Sequence, residues 1–432
     1  MKNTGKPSIF SYPGFRVLWL GGLISQFGDV LHYIVFLWFV REATGDPSKV
    51  GIVMASGMAP YLFLSLYAGT VVDKLDRKKV LIWSDLASAL LLLVFLALIF
   101  IVQKPPVWLV SLIAALLSCA LVFHQPAKSA AIPRLVPEER LLEANSVNSA
   151  TMQVMYLVGN FASALLLQIV FVFSRLVAYG LAFGINALSF IVSALFNMKL
   201  PSLVPEREDA PKSAWKEAKE GIRFVVTHPV LLITLVMMVG MQFSIAPFMI
   251  VYIETAQKTF RAGPWVIGYL ETGFFLGMIL GSWLVSKFSI RRAGLAFSVA
   301  IFLSGLTIVP MGYVSSLVVF WILNLLCGLF LPFGSIPLNT FIQLETPDAF
   351  RGRVNSALNM IAALSMPLSM GLTGFLIKWL TLPGVYILMG AGLCVSALGG
   401  LCSRSFRMAT LPKESSSEVS TVSLQPVEEN VP

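Results

Sequence analysis

Charge is what this 432-residue chain has least of. Only 12% of its residues are Asp, Glu, Lys or Arg, where soluble domains average about 25%. With 57% hydrophobic residues and a mean hydropathy of +0.81, a compact globule of this composition would not be solvated by water, so its solvent must be largely lipid. Histidine is nearly absent as well. His32, His124 and His228 are the only three, and none is clustered with Asp and Ser or Cys, which argues against a hydrolytic enzyme. The four cysteines (Cys119, Cys327, Cys394 and Cys402) fall in apolar runs without metal-ligand spacing and read as small packing residues. No metal or cofactor is expected. No Gly-x4-Gly-Lys-Ser/Thr phosphate loop occurs, so the chain is not expected to hydrolyse ATP. A cleavable signal peptide is not expected either, because the first apolar run is too long and lacks a small-residue cleavage pattern.

What is present in quantity is apolar sequence in long runs. Twelve of them are long enough to cross a bilayer core as helices, six between residues 17 and 198 and six between 230 and 402. In lipid every backbone N–H and C=O must be satisfied internally, and continuous rather than alternating runs select helices over a barrel. The expected fold is an all-α membrane protein with twelve transmembrane helices in two pseudo-symmetric six-helix bundles. Residues 1–198 form the first half and 230–403 the second. Between them, 199–229 is a polar linker in which Trp215, Ala218, Ile222 and Val225 recur at helical spacing, as in an amphipathic helix lying on the membrane surface. The tail 404–432 is expected to be disordered.

The loops set the orientation. Placing both termini in the cytoplasm puts 24 of the 31 Lys and Arg residues on that side, as the positive-inside rule requires. The same rule accounts for the net charge of +9 without invoking nucleic acid. The two halves also repeat each other. Pro137 to Asn145-Ser146 recurs as Pro347 to Asn355-Ser356, and Gly69 before one cytoplasmic loop is echoed by Gly281 before another that carries Arg291-Arg292. Parallel halves around a midplane cavity are a secondary-transporter design.

The densest charge lies between spans 2 and 3, where seven charged residues fall between 73 and 85. Gly69, Asp73, Arg77 and Lys78 match Gly-x-x-x-Asp-x-x-Gly-Arg-Lys/Arg, the motif of the major facilitator superfamily, which the whole chain resembles. Asp85 matches the acid often found at the start of that family's third helix. The pattern departs at Asp76, where the family has glycine; if the position needs positive φ, Asp tolerates it better than most residues. The resemblance implies that Asp73 faces the start of the eleventh helix, near Asn355, and that Arg77 pairs with Asp85. Together these contacts would latch the cytoplasmic side shut. Softer features (Phe15-Arg-x-Leu-Trp19, Gly28-Asp29, Ile132 to Pro137, and Gly221 to Pro229) are similar to the branch containing macrolide-efflux proteins and the enterobactin exporter. Val158-Gly159-Asn160-Phe161-Ala162 departs from the Gly-Pro segment that many drug/proton antiporters carry in the fifth helix.

Ionisable residues inside spans are costly and usually face a cavity. Asp29 and His32 lie three residues apart on one face of the first span, and Glu271 stands in the eighth. Low-dielectric surroundings penalise the charged form of each, which suits them to proton exchange. Gln26, Gln153, Asn160, Gln242, Asn324 and Asn359 are polar groups that either bond other helices or line the cavity. The expected activity is proton-linked export of amphipathic small molecules, such as drugs, macrolide-like compounds or siderophores, by a monomer in a bacterial inner membrane. The expected partners are substrate, protons and the lipid bilayer. Transport of lipid or lysophospholipid by the same fold is the alternative, and a non-transporting membrane sensor a more distant one.

Overall fold

Residues 8–72, 74–204, 214–288 and 290–411 are described by the computed structural model. The first half contains α1 (Pro13–Thr44), α2 (Pro47–Val72), α3 (Arg77–Val102), α4 (Val107–Leu135), α5 (Leu141–Phe173) and α6 (Arg175–Met198). A linker helix α7 (Ala214–Thr227) leads to α8 (Pro229–Ile245) and α9 (Phe248–Glu254), which together form one span broken at Ala246-Pro247. The second half continues with α10 (Trp265–Val285), α11 (Ala293–Met311), α12 (Leu317–Glu345), α13 (Asp348–Trp379) and α14 (Leu382–Cys402), and ends in the short α15 (Arg404–Arg407). Ten of these segments are apolar and long enough to cross a membrane. With α2 (26 residues) and α5 (33 residues) they make twelve long helices among the described residues.

Local chemistry sets the ends. Pro13 and Pro229 open α1 and α8 from the first turn, where a missing N–H costs nothing. Ser174 and Ser316 cap α6 and α12 by accepting from Val177 N and Val319 N. Gly45 closes α1 at φ 65°, with its N–H on the Arg41 carbonyl. Asp76 is the N-cap of α3 at φ −63°, in extended rather than left-handed backbone. The position therefore needs no positive φ: where the family has glycine, this carboxylate caps a helix.

Packing repeats between the halves. The α2–α4 pair is matched by α10–α12, α3–α6 by α11–α14, and α1–α6 by α8–α14. Lipid offers no hydrophobic drive for helices to associate, so close approach depends on small residues. Gly273, Gly277 and Gly281 form such a stripe on α10. A Cβ at Gly277 would run into the Leu325 carbonyl and lie 2.9 Å from Leu329 N on α12. Gly277→Leu is expected to destabilise the second half by about 1–3 kcal/mol through overpacking, read as a lower midpoint in thermal unfolding of the detergent-solubilised protein.

Three expectations change here. The described end of the linker helix packs on α13 instead of lying on the membrane surface. Val225 is buried, Phe224 stacks on Phe350 of α13 with centroids 5.1 Å apart, and Arg353 Nη1 donates to Glu220 Oε2 at 2.8 Å. The side chains of Trp215 and Ala218 lie outside the described residues. Helix α13 starts at Asp348, about two turns before Asn355. Finally, the start of the tail is folded. Phe406 is buried against α11 at Gly294, Thr410 bridges Arg292, and Leu411 N donates to Arg291 O at 2.8 Å. Burial of one aromatic and a backbone pairing order 404–411, and 412–432 lie outside the described residues.

Candidate functional site

Between the two halves lies a cavity of about 580 Å³, walled chiefly by α1, α2, α4 and α5 and closed by Met249, Glu271, Phe275 and Met370 from the second half. Asp29, His32 and Glu271 all line it. Asp29 Oδ1 accepts from Asn186 Nδ2 at 3.3 Å. Glu271 Oε2 accepts a short hydrogen bond from Asn160 Nδ2, which ties α10 of one half to α5 of the other. Among the described residues no Lys or Arg stands within ion-pair distance of either acid, so a proton can neutralise their charge where no cation does. His32 is not hydrogen-bonded to Asp29. Its ring stacks on Phe36 and meets Phe183 edge-on, with centroids 5.3 and 5.1 Å away, and its buried Nδ1 has no partner among the described residues.

The polar groups that sequence could not sort now separate. Gln26 and Asn160 face the cavity. Asn324 accepts from Tyr252 within the second half, Gln242 Nε2 lies 3.5 Å from Met366 Sδ, and Gln153 and Asn359 are exposed on the helix surfaces. Sequence reasoning missed the methionines. Met54, Met58, Met152, Met155, Met249 and Met370 all line the cavity, with Tyr33, Phe36, Tyr156, Phe190 and Phe275. The methionines come from four helices, α2, α5, α9 and α13, and only the pairs within α2 and α5 share helical spacing, so no single stretch of sequence marks the wall. Flexible thioethers and aromatic faces make a wall that adapts to apolar cargo of varied shape.

The described side-chain bonds, ion pairs and ring contacts that join α1–α6 directly to α8–α14 run from the bundle's middle to the face opposite the termini. Arg41 on α1 grips Glu254 at the end of α9 with Nε and Nη2, and Lys258 Nζ adds a contact at 2.8 Å. Glu254 is 0% exposed. It ends α9, after which a π-helical turn carries the span on to Thr259, and it is sealed between the halves rather than wet. Gly374 packs on Pro47 and Ser48, and Gly268 on Asn160 and Ala164.

At the rim of that face Lys378 Nζ reaches Asp46 Oδ2 at 2.7 Å. Burial raises the Asp46 carboxyl, but hydrogen bonds from Lys378 and Ser48 outweigh it and hold the group below its ordinary value. A carboxyl lowered on folding stabilises above its unfolded value and loses that contribution as pH falls through the folded one. The gap in thermal midpoint between wild type and Asp46→Asn should therefore be full above the ordinary carboxylate range and shrink as pH falls below it. For so exposed a pair it should correspond to no more than about 1 kcal/mol.

The charged loop between α2 and α3 sits on the terminal face. Asp73 lies outside the described residues, as does the Asn355 side chain. Gly69 is in the last turn of α2 with open space at its Cβ position. Asp76 Oδ1 accepts from Lys78 N and Leu203 N at 3.0 Å, Ser202 Oγ donates to its Oδ2 at 3.1 Å, and Lys78 Nζ donates to Leu200 O at 2.6 Å. The loop thus grips the chain leaving α6. The expected Arg77–Asp85 pair is not formed. Asp85 lies about 12 Å further along α3 and is fully buried, held by Ser193 Oγ and Asn197 Nδ2 at 2.8 Å and facing His124 Nε2 at 3.2 Å.

Comparison with known proteins agrees with this architecture. The family model described as Major Facilitator Superfamily matches residues 18–370. Macrolide efflux protein A of Streptococcus pyogenes is 25% identical over 391 residues, covering 88% of this chain and 95% of that protein. Multidrug efflux pump Tap of Mycolicibacterium fortuitum is 27% identical over 368 residues, covering 82% and 86%. Among solved structures, a bacterial homologue of the iron transporter ferroportin in an inward-facing state superposes with a TM-score of 0.71 at 14% identity, covering 93% of this chain and 100% of that one. A nucleoside transporter does so at 0.69, also at 14% identity, covering 90% and 98%.

Proposed function

From the premise that the chain belongs to the Major Facilitator Superfamily, and so is a multi-pass secondary transporter and not an enzyme, we propose that it exports amphipathic small molecules of the macrolide class in exchange for protons. The observation that carries this reading is the cavity. Six methionines and five aromatics supply an adaptable apolar wall, and two carboxylates with no cation beside them among the described residues share the same space. Its volume falls within the range of about 300–1,000 Å³ of sites for drug-sized ligands. The efflux activity of the two relatives supports the direction.

The proposed setting is a bacterial inner membrane, with both termini cytoplasmic and the monomer as working unit. In that orientation the face joined by Arg41–Glu254 and Asp46–Lys378 is external. Binding of a proton at Glu271 weakens the charge-assisted bond from Asn160 and loosens the contact between α5 and α10. In the opposite state Asp73 is proposed to meet the positive end of α13 and close the cytoplasmic side.

An imposed pH gradient across proteoliposomes tests this directly. Accumulation of radiolabelled erythromycin should follow the gradient and collapse with an ionophore; flux independent of the gradient would eliminate proton coupling. Drug susceptibility of a host stripped of its own pumps separates drug export from lipid transport, since only the former raises the inhibitory concentration.

A further inference from the structure

Helix α6 turns a polar stripe into the core of the first half. Asn186, Ser189, Ser193 and Asn197 recur one helical turn apart, and all four are buried. At the cavity end Asn186 holds Asp29, and Ser189 Oγ donates to Asn186 Oδ1 at 3.1 Å. Two turns toward the terminal face, Ser193 and Asn197 hold Asp85. His124 and Lys128, four residues apart on α4, complete the cluster. Lys128 is 7% exposed, and its Nζ stands against Gly22 of α1, where a Cβ would come within 2.8 Å. Asp85 Oδ1, His124 Nε2 and Asn197 Oδ1 have no well-aligned hydrogen bond among the described residues, although the first two are 3.2 Å apart.

The charges facing this core are Asp29 from α1, Asp85 from α3, and His124 and Lys128 from α4; α6 contributes only neutral groups. Two acids oppose one fixed cation. When both acids are ionised the buried set carries a net negative charge, which low dielectric penalises. One proton removes that charge, and it can reside on Asp29 or on the His124 imidazole.

We propose that His124, held by Asp85, is a second station for the transported proton, linked to Asp29 along α6. The inference rests on the proton-coupled reading above. In the transfer the O–H bond of Asp29 breaks and an N–H bond forms on His124, leaving a carboxylate at the cavity and an imidazolium beside Asp85. From there the proton leaves toward the terminal face. Asp85 is a positioning residue: its Oδ1 faces the imidazole Nε2 at 3.2 Å and it touches no cargo.

The experiment compares wild type with His124→Gln and Asp85→Asn in proteoliposomes, using radiolabelled erythromycin in two modes. Accumulation driven by a pH gradient requires net proton movement, whereas erythromycin–erythromycin exchange at equal pH does not. We expect gradient-driven transport to fall on the order of tenfold while exchange stays within about twofold of wild type. A parallel loss of both modes would mean that the cluster only holds α3, α4 and α6 together, and would overturn the proposal. Unchanged accumulation would overturn it as well. Should His124→Gln not fold, Asp85→Asn decides the question alone, because an asparagine keeps an oxygen for Ser193 and Asn197. Wild-type exchange without gradient-driven accumulation would instead remove the proton-coupled reading, and the relay with it.

Discussion

Glu271→Gln is expected to cut gradient-driven transport on the order of tenfold or more, while leaving the thermal midpoint close to that of wild type. The glutamine amide oxygen still accepts from Asn160 Nδ2, so the tie between α10 and α5 survives in neutral form. What is lost is the ability to carry a charge that a proton can cancel. Asn160→Ala is the complementary change. It leaves the carboxylate ionisable but removes its partner in the other half, so the link between protonation and loosening of the halves should go while proton binding remains. The two variants separate if Glu271→Gln keeps erythromycin exchange and Asn160→Ala slows it. Equal transport by Glu271→Gln and wild type would show that this acid does not handle the proton.

The largest stability effect is expected at the opposite face. Arg41→Ala leaves Glu254, which is 0% exposed, with Lys258 as its only cation among the described residues. Removing one member of a buried pair typically costs about 3–5 kcal/mol, and the loss here falls toward the lower end of that range because Lys258 still contacts the carboxylate at 2.8 Å. Here the loss falls on the state closed at that face, so the change acts on the conformational equilibrium as well as on folding. A few kcal/mol is enough to invert a two-state population. We expect a lower thermal midpoint, and a cysteine placed at Ser48, buried beneath Gly374, to become reactive to an impermeant maleimide. The double variant Arg41→Met, Glu254→Leu should recover most of the midpoint, since apolar replacement of a buried pair is often neutral. A single variant as stable and as closed as wild type would remove this ion pair from the gate.

Much of the architecture was legible in one dimension. Run length and the scarcity of charge indicate twelve helices in lipid, and repeated landmarks indicate two related halves. Asp29, His32 and Glu271 stood out because an ionisable residue in an apolar run is conspicuous wherever it occurs. Two local details were decided by geometry that the sequence does not show. Arg77 and Asp85 share a helix but sit too far apart along it, and Asp76 replaces a glycine by capping α3 rather than by adopting its backbone. The folded segment 404–411 was hidden because its order depends on Phe406 finding a slot beside Gly294.

The sequence alone therefore determined the solvent, the class of fold and the residues that lipid cannot tolerate without a purpose. These follow from composition and run length, which every residue contributes to locally. Only the tertiary structure decided who meets whom: Asn160 with Glu271, Asp85 with Asn197 and His124, Arg41 with Glu254. A polar group in a membrane must find a partner, but which one depends on how each helix is rotated and how closely it packs. Glycine sets how closely helices pack, as Gly273, Gly277 and Gly281 do against α12, and the spacing shows the stripe but not the helix it meets.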